Sequence, residues 1–232
     1  MPHVKFPGGA GHGSFTRLPS GILTYLWFCS LANVGFPIYI AMHNNSSTLH
    51  IRFLRSGDTY TLRFKFSSSV IVDFIWTQAG VDWTEFHELF LFQDSGDSVL
   101  YFDGAEVVRL VGQTFGFPRV STINITTNSN QFDMEYFRLV DTGNGADRNW
   151  DVASSDTSDS STEILDISAN ASHMTLVNMP TDGSQWGDVT PGPDPIGKRE
   201  FLVELAPVVT FSVVKPVVYF DVTFPAVYRA GG

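Results

Sequence analysis

The chain of 232 residues contains a single cysteine, Cys29, so no disulfide within the chain can brace the fold. Cys29 lies in an apolar run, where a small buried hydrophobe is the fitting reading and a reactive thiol the less fitting one. Charge is scarce as well. Asp, Glu, Lys and Arg make up 16% of the residues, and 14 Lys and Arg face 24 Asp and Glu for a net charge of −10. Too few cations are present to neutralise a phosphate backbone, which sets nucleic acid aside as a partner. Helical periodicity is also missing: no stretch holds it beyond two turns, "VDWTEFHELF" coming nearest. Met1 to Ser20 lacks the apolar core of a signal peptide, with Pro and Gly where it would begin.

Long apolar runs are limited to Gly21–Ala41, "GILTYLWFCSLANVGFPIYIA", which is uncharged and long enough for a bilayer. It is rich in β-branched and aromatic residues, and Asn33, Gly35 and Pro37 interrupt it. Two buried strands joined by the "ANVGFP" turn explain it better than a membrane span.

What the chain has in quantity is Phe (20), Gly (20) and Pro (12), with 43% hydrophobic residues. That mixture favours strands and turns. In "TYTLRFKF", Tyr60, Leu62, Phe64 and Phe66 share one parity while Thr61, Arg63 and Lys65 take the other, the mark of a half-buried antiparallel strand. "QDSGDS" and "FDGAE" read as hairpin turns. Many short strands at regular spacing predict a β-sandwich. Asp141 to Ser161 reads instead as a long polar excursion, and "TPGPDPIGK", residues 190–198, as a stiff linker. The expected organisation is a sandwich over 1–189, the linker over 190–198, and an assembly segment over 199–232.

The run "DWTEFHELFLFQDSGDSVLYFDGAEVVRL" resembles the central hairpin of concanavalin A-like, laminin-G-like sandwiches. The matching positions are Trp83, Leu100, Tyr101, Asp103, Gly104 and Val107, with Asp-Gly at a tight turn that needs positive φ. "HVKFPGGAGHGSFTRLPSG" looks like the family's opening strand and turn, and "DMEYFRLVDTG" like a late strand closing one sheet. "STEILDISANASHMTLVNMPTDGSQWGDV", ending in Ser184 and Trp186, is similar to a closure in versions carried by bacteriophage structural proteins. The resemblance spans Val4 to Val189. It implies an all-β, antiparallel fold, and it makes virion proteins, other copies of the chain and host-surface glycan the partners to expect.

Candidate chemistry is thin. "GGAGHGS" has the glycine spacing of a phosphate loop without its lysine, and a strand-edge turn fits better. The implied family includes glycosidases, whose retaining members carry three carboxylates on one strand. Asp133 with Glu135, and Glu163 with Asp166, offer pairs only. His43, His50, His87 and His173 lack metal-ligand spacing. The resemblance allows a structural calcium near Asp94, Asp97, Asp147 or Asp151, although Asp at such places also makes Asx-turns, and no cofactor is expected. Trp150 and Trp186 are two loop aromatics that could stack on sugar, with Asp147, Asn149, Gln185 and Asp188 as polar neighbours. Alternatively, both rings pack the excursion against the sandwich.

The C-terminal text is a repeat. Pro207, Pro216 and Pro225 fall nine residues apart, and Val209, Phe211 and Val213 match Val218, Phe220 and Val222. Proline at each strand start lets the register reset, so those apolar side chains can share a face. Such units are too few for an independent sheet and call for completion by strand addition to neighbouring subunits. It also looks like repeats of phage and prophage virion proteins, which places the expected protein on a virion, as tail fibre, adhesin or capsid decoration.

Overall fold

Sixteen strands form in the computed structural model, which describes residues 2–16, 25–43, 50–65, 71–93, 96–113, 122–125, 130–141, 146–169 and 171–188. All belong to one unit, Met1–Pro195. The linker 190–198 and the segment 199–232 lie outside the described residues, and with them every assembly residue from Pro207 to Pro225.

Strands β1 (Pro2–Phe6) and β2 (His12–Thr16) flank a turn in which Gly8 and Gly9 take positive φ. The glycine-rich loop therefore feeds a strand and offers no helix N-terminus to a phosphate. β3 (Tyr25–Ala32) and β4 (Ile38–His43) are the two strands of the uncharged run, and "ANVGFP" carries the chain from one sheet to the other. Among the described residues no helix is long and apolar enough to cross a membrane. β5 (His50–Ser56), β6 (Thr59–Lys65) and β7 (Ile71–Thr77) form a meander. Along β6, Tyr60, Leu62 and Phe64 are buried and the residues between them are not, as the alternation predicts.

A second meander follows: β8 (His87–Gln93), β9 (Ser98–Phe102) and β10 (Ala105–Leu110). Its second turn places Asp103 at φ 49° and Gly104 at φ 77°, the paired positive values of a tight hairpin turn. Trp83, one of the positions that carry the resemblance, is not in a strand. It sits in the turn before β8 and packs into the core against Phe36, Phe53 and Phe102.

The remaining strands are β11 (Thr122–Ile125), β12 (Phe132–Asp141), β13 (Ala146–Asp151), β14 (Glu163–Ile164), β15 (Met174–Val177) and β16 (Trp186–Asp188). A 3-10 turn, Val152–Ser154, follows β13. One sheet runs β10-β9-β8-β3-β12-β1-β16 with β13 added to β12, and the other runs β14-β15-β2-β11-β4-β5-β6-β7. Their pairings are antiparallel, so the expected all-β antiparallel sandwich is the architecture found. Aromatic rings join the two layers: Phe102 of the first sheet stands 5.8 Å from Trp76 and 6.5 Å from Tyr60 of the second. Burying each such side chain stabilises the fold by roughly 1.5–3 kcal/mol.

Two expectations change. β12 does not close a sheet; it lies inside one, with β3 along one edge and the other edge shared by β1 and then β13. The polar excursion is not loop throughout, because Ala146–Asp151 pairs with Tyr136–Asp141 as β13. The physical reason is that a strand added to an existing edge gains its hydrogen bonds from the partner, so a largely polar segment can extend a sheet.

Candidate functional site

The residues foreseen as a sugar platform fall in two places. Trp150 is on β13, not in a loop, and has 0% exposure. Its ring lies 4.1 Å from Phe15 and 5.8 Å from Phe137, one from each sheet, and its Nε1–H donates to the Ser172 carbonyl at 2.8 Å. Gln185 is buried, and its Nε2 donates to the Asp159 carbonyl at 2.9 Å. Trp186, on β16, is buried too and donates from Nε1 to the Ser158 carbonyl at 3.0 Å. Both tryptophans thus pack the excursion against the sandwich and present no open face for a sugar. Asn149 is half-buried on β13, while the side chains of Asp147 and Asp188 lie outside the described residues.

The candidate carboxylate pairs are likewise engaged. Asp133 accepts from Asn33 Nδ2 at 2.6 Å and stands 3.4 Å from His3. Glu135 accepts from Ser30 Oγ at 2.6 Å. Ser30 has Glu88 and Tyr136 as its cross-strand neighbours, and the Tyr136 hydroxyl donates to Glu88. Burial first, then the charge of Glu88, pushes the Tyr136 phenol up, so it remains a donor. Asp166 is buried and collects backbone N–H groups, while Glu163 is exposed.

The two calcium candidates whose side chains are described are engaged within the fold. Asp97 accepts from Arg109 and the Gly112 N–H, and Asp151 caps the 3-10 turn through Ala153 N–H and Ser154 Oγ. Among the described residues no group of three or more His, Cys, Asp and Glu is placed to hold a metal. Asp94 lies outside them. Cys29 is buried, and desolvation first, then the charge of Glu88, raises its thiol.

The surroundings of His87 favour its imidazolium form. Its Nδ1 lies 2.6 Å from the Asp103 carboxylate and its Nε2 2.9 Å from the Asp82 carbonyl. Both partners only accept, so both ring nitrogens must donate. Burial opposes the charge, but the hydrogen bonds to Asp103 and Asp82, with the charges of Asp103 and Glu85, outweigh it and raise the pKa above 6.5. A raised folded-state pKa gives a contribution that is complete below the unfolded value and lost as pH climbs through the folded one. Thermal unfolding should therefore show this part of the stability falling as pH rises above about 6.5, with the slope absent in His87→Gln. An identical pH profile in the variant would refute the assignment.

The feature that sequence reading left unnoticed is on the outer face of the second sheet. Tyr39, Arg52, Arg63 and Asp73 are successive Cα partners across β4, β5, β6 and β7, forming one rung. Arg63 and Asp73 make a two-pronged ion pair, Nε and Nη2 each 2.7 Å from a carboxylate oxygen. Arg52 lies over the Tyr39 ring at 5.1 Å, and His50 meets the edge of that ring at 5.2 Å. The next rung pairs His50 with Lys65 and Lys65 with Ile71. Beside it on β7, Ile71 and Ile75 are 49% and 56% exposed. The face is half-open and locally cationic on a chain of net charge −10. The signal was present: the two-residue turn Gly57-Asp58, with Gly57 at φ 61°, sets the register that places Arg52 opposite Arg63.

No family model matches the chain, and no curated protein sequence matches it. Solved structures with similar coordinates include the LG4-5 domains of the mouse laminin α1 chain, at TM-score 0.46 and 12% identity over 65% of this chain and 43% of that one. The binding domain of botulinum neurotoxin DC, solved with rat synaptotagmin II, gives TM-score 0.40 and 9% identity over 50% of this chain and 32% of that one. The binding domain of Paraclostridial Mosquitocidal Protein 1 gives 0.37 and 14% over 49% and 32%. The matched region is less than half of each neighbour's length. The sandwich assignment follows from this chain's own strand pairing.

Proposed function

We propose that this chain is a non-enzymatic structural and binding protein of a bacteriophage particle. Its sandwich binds a host-surface glycan, and segment 199–232 joins it to other copies and to virion proteins. The observation that carries the binding role is the half-open outer face of β4–β7, where charged, aromatic and apolar side chains stand together on one sheet. A non-catalytic role is supported by the carboxylates of Asp133, Glu135 and Asp166, each tied to neighbouring groups of the fold. The anchoring role is supported by the repeat from Pro207 to Pro225, whose backbone and apolar side chains need partner strands.

Truncation before Pro207 tests the anchoring role. The expected product is a folded sandwich that no longer assembles, seen as a fall in sedimentation coefficient. Assembly equal to that of the full chain would overturn it.

A further inference from the structure

We infer that the outer face of β4–β7 is a binding site for an acidic polysaccharide, a glycan carrying carboxylate groups, with Arg52 and Lys65 as its anion contacts and Tyr39 beside them. This deepens the glycan-binding reading and rests on it.

The first argument is charge register. Arg52 is the direct cross-strand partner of Arg63. Like charges directly opposite one another on neighbouring strands are destabilising, and a bound anion converts that repulsion into attraction. Asp73 compensates Arg63 alone, because both of its oxygens are spent on that guanidinium. Arg52 and Lys65 have no carboxylate partner among the described residues. They are diagonal neighbours, about 7–8 Å apart at Cα, a gap that two long side chains close around one carboxylate.

The second argument is an unmet donor. Arg52 Nε is buried and makes no hydrogen bond. The Tyr39 ring meets the charge of the guanidinium but accepts none of its in-plane N–H bonds, and the terminal amino groups, beyond the buried Nε, are the donors suited to a carboxylate contact.

The third argument selects the ligand class. Arg52 and Lys65 supply two cations on a chain of net charge −10, enough to meet single carboxylate groups and too few to neutralise a run of phosphates. The face is bordered by the exposed Ile71 and Ile75, which offer apolar contact to the C–H surface of sugar rings.

The test measures binding of the full chain to polygalacturonate, neutral dextran and phosphatidylserine vesicles, at low salt and at about 0.5 M salt. Polygalacturonate should bind, more weakly at high salt, and Arg52→Ala and Lys65→Ala should each weaken it about tenfold with unchanged melting temperature. If Arg52→Ala fails to fold, Arg52→Gln and Lys65→Ala carry the same expectation. Polygalacturonate binding that neither variant weakens overturns the site, and so does binding to vesicles alone. Binding to dextran alone overturns the acidic ligand and leaves the glycan-binding reading standing. Binding to no glycan overturns both.

Discussion

Replacing Trp150 by alanine is expected to lower the stability of the sandwich by about 3–5 kcal/mol, the range for removing a large aromatic from a filled core. The ring fills the space between Phe15 of β2 and Phe137 of β12, so its loss opens a cavity between the two sheets. It also deprives the Ser172 carbonyl of its donor. Chemical denaturation of the variant checks the size of the effect. The same experiment separates packing from recognition. A variant with unchanged stability and abolished glycan binding would mean that the ring is a platform after all, against its complete burial.

Asp166→Ala is expected to cost about 3 kcal/mol or more, because a buried charged acceptor is removed while its donors stay behind. Those donors are the backbone N–H groups of Asn149, Ser168 and Ser172, each at 2.9 Å, with Arg148 Nε 3.9 Å away. The carboxylate thereby fastens the segment after β14 to β13, across the bridge between Trp150 and Asp166. Asp166→Asn should recover part of the loss, since one oxygen remains while the amide N–H₂ group faces donors. The pH dependence has a definite sign. Burial raises the pKa, but the hydrogen bonds from Asn149, Ser168 and Ser172 outweigh it and leave the group lowered. A lowered folded-state pKa gives stability that is present above the unfolded value, about 3.9, and is lost as pH falls through the folded one. Acid unfolding of the wild type should show that component, and Asp166→Ala should lack it. Equal acid profiles would refute the role given to this carboxylate.

His87 titrates in the opposite sense, through its two acceptors Asp103 and Asp82. The protein is therefore expected to lose one contribution toward acid and another toward alkali, from two separate hairpin junctions.

Local features were legible in the sequence where a side chain's neighbours along the chain decide its state. The parity of "TYTLRFKF" predicts β6, and Asp103-Gly104 predicts the turn between β9 and β10. Interruption by Asn33, Gly35 and Pro37 divides the long apolar run into β3 and β4. The strand β13 was not legible, because "ADRNWD" has little apolar alternation and owes its conformation to the waiting edge of β12. Trp150 and Trp186 read as exposed because polar residues flank them, yet both are buried by elements far away in the chain. Nor does position along the chain show that Tyr39, Arg52, Arg63 and Asp73 form a row; four strands must pair in register first.

The sequence by itself determined the strand-and-turn character of this protein and the alternation that gives each strand an inner and an outer face. Those are properties of φ, ψ and side-chain periodicity within a few residues. Only the tertiary structure decided which aromatics close the core, which carboxylates bind backbone, and which cations come to share one face. Burial and charge environment depend on distances between strands that the chain order does not contain.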